Sequence, residues 1–475
     1  MILYRTFEEI NSKLECCLLK GIEDLPESFT GKKDIDLLIR RKDQFELQSI
    51  LTNFGFRQVV SGWHKIQNGT EHYVLYESET DQFHHIHIHY CIIYGVALDR
   101  EYELPYVEEW INLATKHPEY PIKILPLELT MAFEMLRALI ETNYNFKSVI
   151  RSILVKLIKK KNFIYSDRYK FHKKFQFYYP KVNMELLQKY LVEYFDFASV
   201  EINKLSGWYI SKSLTPLDFF RLRAITLKKL KRYRRINNTD AKLLRKFRKE
   251  EVKKDIAFRS VSSGGLIISV IGSDGTGKST MCDELSKWLQ WGRFTARTVH
   301  LGEPKGLLRI SAINYLVKAS NLLGFKSLAS HLMGLIALLK AKKRAQMVKQ
   351  AHFLKNKGSV VITDRYPLKE FWDKKSKMDS PKLEVTNKFY AKVVSVFENM
   401  PDYPDTLIFL TAPDEIIIKR RKEEIENNST IKSIIIQKNS DVKKVASELN
   451  STIFDTSETW DLLYNRVRSF VWSKL

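Results

Sequence analysis

The chain has 475 residues, 44% of them hydrophobic and 28% charged, and a formal net charge of +23. That length implies two or three domains rather than one, and the hydrophobic content is that of an ordinary soluble protein. The four cysteines (Cys16, Cys17, Cys91, Cys282) match no metal-site spacing or disulfide framework. The first residues carry no signal-peptide pattern, and the best apolar stretch, 327–339, is too short for a bilayer and contains His331, so a reducing, cytoplasmic setting is expected.

In chain order, residues 5–20 read as helix, 34–40 as strand, 45–54 as helix, and 73–77 and 84–94 as further strands. Residues 126–160 and 183–255 read as mostly helical, so the first part is expected to be α+β with a helical second lobe. Within it, Gly31-Lys32-Lys33-Asp34-Ile35-Asp36-Leu37 places two carboxylates on one face of a strand. Paired acids at that spacing can share a divalent metal bound to triphosphate.

With Lys20-Gly21 upstream, this segment resembles the nucleotidyltransferase superfamily over about 15–130, whose pattern is a helix with a glycine turn and then Asp-x-Asp on a strand. The resemblance implies a divalent metal at Asp34 and Asp36, and a third acid on a later strand. The strand in that place reads His84-His85-Ile86-His87-Ile88-His89-Tyr90, with His85, His87 and His89 on one face and no acid. Four readings stand. Histidine, with His87 as the candidate, replaces the third ligand; the site is degenerate; the histidines form a metal site of their own; or they are plain polar-face residues.

Between Arg221 and Lys254 fifteen Lys/Arg face three acids (Asp240, Glu250, Glu251), about half of the net charge. The segment reads as basic helix, and serves as a solvated connector, a nucleic-acid contact or a contact to anionic lipid. Small residues at 257–265 then suggest a linker. The expected domains are 1–125, 126–257 and 258–475.

The last domain reads as strand 266–271, helix 279–291, strand 296–301, a long helical region 307–356, and strand 358–363 followed by a helix. Strand 406–410, helix 413–425, a short strand 452–455 and a closing helix 458–474 complete it. Strands alternating with helices imply an α/β fold with a parallel sheet covered on both faces. Between the first strand and helix stands Gly272-Ser273-Asp274-Gly275-Thr276-Gly277-Lys278-Ser279-Thr280, which satisfies G-x-x-x-x-G-K-[ST] in the context a phosphate-binding P-loop needs. Glycines let backbone N–H groups converge on an anion, the helix start favours negative charge, Lys278 can reach the β/γ-phosphates, and the Ser279 hydroxyl can ligate Mg²⁺.

Two further motifs follow. A buried strand ends in Asp364-Arg365-Tyr366, where the aspartate can hold Mg²⁺ and the arginine can clamp an acceptor phosphate. Pro404-Asp405 opens another buried strand. Past Pro413, Lys419-Arg420-Arg421-Lys422 can form a cationic lid that neutralises transition-state charge, or an exposed amphipathic helix end.

Together these motifs resemble the thymidylate kinase family of nucleoside monophosphate kinases over about 266–475. The resemblance implies ATP and Mg²⁺ as cofactors. It places Asp274 near the acceptor sugar, puts Tyr366 on the acceptor side, and makes Arg344, in Arg344-Ala345-Gln346, similar to an arginine that contacts the acceptor base. Glu303-Pro304 is similar to a family Glu-Pro-Gly. The departures lie on the acceptor side: Lys340 stands where the family has a base-stacking Phe, and an insert occupies about 304–342. Pro367-Leu368-Lys369 and Met378-Asp379-Ser380-Pro381 replace a polar run. ATP binding is therefore expected, and dTMP as acceptor is not.

The expected function is Mg-ATP-dependent phosphoryl transfer to a nucleotide or other small acceptor. Two alternatives remain: nucleotidyl transfer through Asp34/Asp36 with the P-loop half accessory, and an ATPase associated with nucleic acid or membrane through 221–254. Oligomeric state stays open.

Overall fold

The computed structural model describes residues 2–61, 67–95, 100–141, 174–197, 201, 216–237, 239–241, 243, 246, 259–302, 308–373, 387–400, 403–427 and 430–475. The chain divides into two compact units, Met1–Ala257 and Phe258–Leu475. No helix among the described residues is long and apolar enough to cross a membrane.

The first unit opens with helix Ile2–Lys13 and then β1 (Cys16–Lys20), β2 (Ile35–Ile39), β3 (Arg57–Val60), β4 (Thr70–Glu77) and β5 (Gln82–His89). A two-stranded ladder of β6 (Ile92–Tyr94) and β7 (Tyr102–Leu104) follows, then β8 (Thr115–Lys116) and β9 (Lys123–Ile124). Within this unit the main sheet runs β3-β4-β5-β2-β1-β9-β8. It is mixed: β1/β2 and β4/β5 are antiparallel and β2/β5 parallel. The helix read over 5–20 ends at Lys13 and gives way to β1. Cys16 to Leu19 are all buried, and a continuous apolar run carries no period to separate strand from helix.

Helix Leu127–Glu141 is buried along nearly its whole length, from Leu129 to Ile140, and packs against β1 and helix Met184–Phe195. The latter starts at Asn183, whose side chain accepts from the Glu185 and Leu186 N–H groups at 2.9 and 3.3 Å. Helicity expected over 142–160 and 247–255 lies outside the described residues. Of the basic segment, helix Pro216–Lys229 and the turn Leu230–Tyr233 are described. Lys229 pairs with Glu201 at 2.7 Å, and Arg234 and Arg235 face Glu101 and Glu103 at 3.8 and 3.6 Å. These three cations are thus engaged with acids of their own unit.

The second unit carries a short strand β10 (Ser260–Val261), then β11 (Leu266–Gly272), β12 (Ala296–His300), β13 (Val360–Asp364), β14 (Thr406–Thr411) and β15 (Ile453–Asp455). The last five form an all-parallel sheet in the order β12-β13-β11-β14-β15. β11 is central and buried except at Leu266, as expected for a strand covered on both faces. From β11 the chain passes to β12 on one side, and from β13 it crosses to β14 on the other. The order therefore reverses around β11, and the carboxyl ends of the strands at such a switch point are where open parallel sheets take their ligands.

Helices Lys278–Trp291, Leu308–Leu322, Lys326–Asn356 and Asn387–Glu398 lie in the connections, and Trp460–Lys474 follows the last strand. The long helical region is thus two helices. The single helix read over 413–425 is broken at Arg421 into Asp414–Arg420 and Lys422–Asn427. A 19-residue helix, Thr430–Glu448, escapes the sequence reading because its buried seam of Ile435, Asn439, Val442, Val445 and Ala446 includes an asparagine. The Asn439 side-chain NH2 donates to Ala412 O at 2.9 Å and Asp414 Oδ1 at 2.7 Å.

Candidate active site

The carboxyl end of β11 leads directly into the glycine loop. At Gly272 a Cβ would lie 2.6 Å from the Leu410 carbonyl oxygen and 2.5 Å from Thr276 Oγ1, so a side chain there would force β11 and β14 apart. Gly275 and Gly277 hold φ of +94° and +82°, the region glycine adopts without strain. Thr276 Oγ1 ties the loop by donating to Ser273 O at 2.8 Å. Helix Lys278–Trp291 begins directly after, with Ser279 and Thr280 exposed in its first turn. Its unsatisfied N–H groups make that end a favourable place for an anion.

Lys278 is 5% exposed and curls back to donate to Ser273 O at 2.6 Å. Burial lowers its pKa to about 8, against the opposing pull of Asp274. The Asp274 carboxylate sits among four cations: Arg365 Nη2 at 2.5 Å, Lys438 Nζ at 3.2 Å, Lys278 Nζ at 3.6 Å and Arg421 Nη1 at 3.7 Å. Burial alone would raise its pKa, but Lys278, Arg365 and Lys438 outweigh that and hold it at about 2. The site is a cage of positive charge whose counterion is a loop carboxylate.

Asp364 ends β13 and is 8% exposed. It accepts from the Leu301 N–H at 2.9 Å and lies 3.3 Å from His300 Nδ1. Arg365 follows with φ +55°, a strained left-handed residue of the kind found at functional sites. Two hydrogen bonds fix that turn: Arg365 N donates to Val270 O at 3.2 Å, and Arg344 Nη2 donates to Arg365 O at 2.6 Å. Arg344 is therefore buried beneath the turn. Tyr366 is 3% exposed in the core, its hydroxyl 3.1 Å from His352 Nε2.

Arg420 and Arg421, adjacent in sequence, go different ways. Arg421 joins the cage and pairs with Glu424. Arg420 bonds Thr456 Oγ1 and O at 2.9 and 2.6 Å and reaches Gly275 O at 3.4 Å, bracing the loop against the end of β15. Asp405 accepts from Ile267 N at 2.8 Å and from Lys355 at 2.5 Å, which pins β14 to the start of β11. Lys438, from the helix missed in sequence, is the cage member no motif announced. Glu303-Pro304 and Met378 to Pro381 lie outside the described residues.

In the first unit, the paired acids and the histidine strand do come together. Asp36 and His87 are register partners on β2 and β5. His89 Nε2 lies 2.8 Å, Lys20 Nζ 3.1 Å and His87 Nδ1 3.5 Å from Asp36 Oδ1; Asp34 lies 3.1 Å from His85 Nδ1. Burial would raise the Asp36 pKa, but Lys20, His87 and His89 hold it well below the carboxylate range, while burial lowers His89 to about 4. An ionic network lies in the same unit: Arg137 joins Glu134 and Glu141 at 2.8 and 2.9 Å, and Lys174 joins Glu134 and Glu23 at 3.0 and 2.7 Å.

No family model matches the chain, and no curated protein matches it. Solved structures similar to it include two thymidylate kinases. One is from Ehrlichia chaffeensis, at 15% identity and TM-score 0.27, over 44% of this chain and 98% of that one. The other is from Candida albicans, at 18% identity and TM-score 0.31, over 44% and 92%. A deoxyadenosine kinase from M. mycoides is similar at 15% identity and TM-score 0.30, over 44% and 100%.

Proposed function

We propose that the second unit is a Mg-ATP-dependent phosphotransferase of the thymidylate/nucleoside monophosphate kinase type, passing the ATP γ-phosphate to a nucleotide or other small acceptor. The observation that carries this reading is the cage: four cations from four separate elements converge within 3.7 Å of one carboxylate of the glycine loop. A polyphosphate is the ligand whose charge such a cage complements.

The residues present fit that ligand. The Ser273 hydroxyl is buried with no hydrogen-bond partner among the described residues, and the positive-φ Gly275 and Gly277 add no Cβ to the cradle. Ser279 and Asp364 would hold Mg²⁺, which supplies neutralisation of the phosphate oxygens. Lys278 would contact the β/γ-phosphates, Arg365 an acceptor phosphate, and Arg421 with Lys438 the charge of the group in transfer. Arg420 keeps the loop in place, and Arg344 and Tyr366 act on the acceptor side as positioning residues, through the Arg365 turn. Asp274 yields its cations to phosphate and turns to the acceptor. Phosphoryl transfer asks little more of a protein than placement and charge neutralisation. The setting proposed is cytoplasmic.

A coupled ADP-release assay over a panel of nucleoside monophosphates and other small phosphorylated acceptors tests this. ADP formation should depend on acceptor and fall roughly 10²–10³-fold in Lys278→Ala. No acceptor-dependent ADP across the panel would count against the reading.

A second reading concerns the first unit, a nucleotidyltransferase-like module that is catalytic or repurposed to bind nucleotide. The shared cluster of Asp34 and Asp36, with Lys20 beside Asp36, supports it. Pyrophosphate release that disappears in Asp34→Ala/Asp36→Ala but survives Lys278→Ala is its signature.

A further inference from the structure

Strand register brings three histidines of the first unit to one place. His72 on β4 and His87 on β5 are partners across the antiparallel ladder, and His87 is also the partner of Asp36 on β2. His85 lies two residues before His87, so strand alternation sets it on the same face. The result is a row His72–His87–Asp36 across three adjacent strands, with His85 and Asp34 beside it. The His85 and His87 rings lie 4.2 Å apart and the His72 and His87 rings 4.5 Å, both nearly perpendicular. One ring nitrogen of each histidine lies within 4.8 Å of the other two.

The two nitrogens of His87 have different surroundings. Nδ1 faces Asp36 Oδ1 at 3.5 Å. Nε2 is buried and makes no hydrogen bond among the described residues, with Asp34 Oδ2 at 3.5 Å. An imidazole turned to a carboxylate through one nitrogen and left open through the other is arranged as metal-binding histidines are. Asp36 is itself anchored by Lys20 and His89 at 3.1 and 2.8 Å, which suits an orienting role better than a ligating one. The Asp34 side chain is 34% exposed and gives the cluster a route to solvent. Donors around a tetrahedral zinc-type ion stand about 3.4 Å apart, so small side-chain rotations close the observed spacing.

We propose that His72, His85 and His87, with Asp34 as the oxygen donor, bind one first-row transition-metal ion of the zinc type, and that Asp36 orients His87. Imidazole donors favour such ions, whereas Mg²⁺ demands octahedral oxygen and is disfavoured here. The site stands apart from the phosphoryl-transfer reading of the second unit, and it holds whether or not the first unit transfers nucleotides. It replaces a two-carboxylate magnesium site by a histidine-rich one.

The test uses the full chain, stripped with chelator and exchanged into metal-free buffer. It is titrated with Zn²⁺ by calorimetry and with Co²⁺ by visible absorption. The proposal expects one ion per chain, a tetrahedral Co²⁺ spectrum without a thiolate charge-transfer band, displacement of Co²⁺ by Zn²⁺, and no displacement by a large excess of Mg²⁺. His72→Gln and His87→Gln should each abolish stoichiometric binding. Asp36→Asn should weaken it about 10–100-fold. His84→Gln, whose ring pairs with Glu77 at 3.1 Å, should leave it unchanged. Absence of stoichiometric Zn²⁺, an octahedral Co²⁺ spectrum reversed by Mg²⁺, a thiolate band, or full binding in both histidine variants overturns it. If a variant loses its circular dichroism, the wild-type spectrum and the Mg²⁺ competition decide alone.

Discussion

Raising the pH tests the role of Lys278 without touching the sequence. Burial holds this lysine at about 8 in the ligand-free site. At pH 7 it is therefore roughly nine-tenths charged, and at pH 9 roughly one-tenth. A bound polyphosphate pulls its pKa back up, because an opposite charge favours the ammonium. Binding thus takes up a proton above pH 8, and affinity falls about tenfold, or about 1.4 kcal/mol, for each further pH unit. From pH 7 to 9.5 the nucleotide Kd should rise roughly 30-fold, about 2 kcal/mol. Calorimetry at constant ionic strength, in two buffers of different ionisation enthalpy, reads both the affinity and the proton uptake. Lys278→Arg is the control, since a guanidinium does not titrate in this range. A flat Kd across that range, or the same slope in Lys278→Arg, would show that Lys278 does not lose its proton there.

Three other outcomes follow from the packing. Asp274→Ala leaves the Lys278, Arg365, Arg421 and Lys438 cage without its counterion; it should cost on the order of 3 kcal/mol of stability. Sulfate should restore the variant's melting midpoint more than it raises that of the wild type, and an equal sulfate response in both would argue against a cage. Gly272→Ala sets a Cβ 2.6 Å from the Leu410 carbonyl, whereas in Gly302→Ala the nearest described atoms to the new Cβ are Arg365 Cδ at 3.7 Å and Nη1 at 4.0 Å. The first should lose about 1–3 kcal/mol and its nucleotide binding, the second little, as read by urea unfolding and ligand titration. His89, held at about 4 by burial against an ordinary 6.5, stays neutral when folded and takes a proton when unfolded. Its contribution to stability is therefore lost as pH falls from about 6.5 through 4, and a urea midpoint that does not drop over that range, or drops equally in His89→Gln, contradicts the assignment.

The glycine loop and the parallel strands of the second unit are legible in the sequence because their signals are local. The loop at 272–280 has fixed spacing, and β11, β13 and β14 are short apolar runs, as buried parallel strands are. What escaped depends on contacts distant in sequence. Lys438 reaches Asp274 from a helix whose apolar seam is interrupted by Asn439. Arg344 looks like a base-contacting residue in its tripeptide, yet donates to the Arg365 carbonyl. Arg420 and Arg421 read as one cluster but diverge because the helix ends between them. In the first unit, period two alone aligned His85, His87 and His89, while His72 joins them through a strand register that no spacing encodes. The Cys16–Leu19 run reads as helix yet forms a strand for the opposite reason: buried at every position, it has no period at all.

Whether the γ-phosphate moves is read by following two labels on ATP. With label at the α- and γ-positions in separate reactions, γ-label should appear on the acceptor and α-label stay in ADP, with both products falling roughly 10²–10³-fold in Lys278→Ala. Transfer of the α-label with release of pyrophosphate, or γ-label appearing only as free phosphate, would contradict γ-phosphoryl transfer to an acceptor.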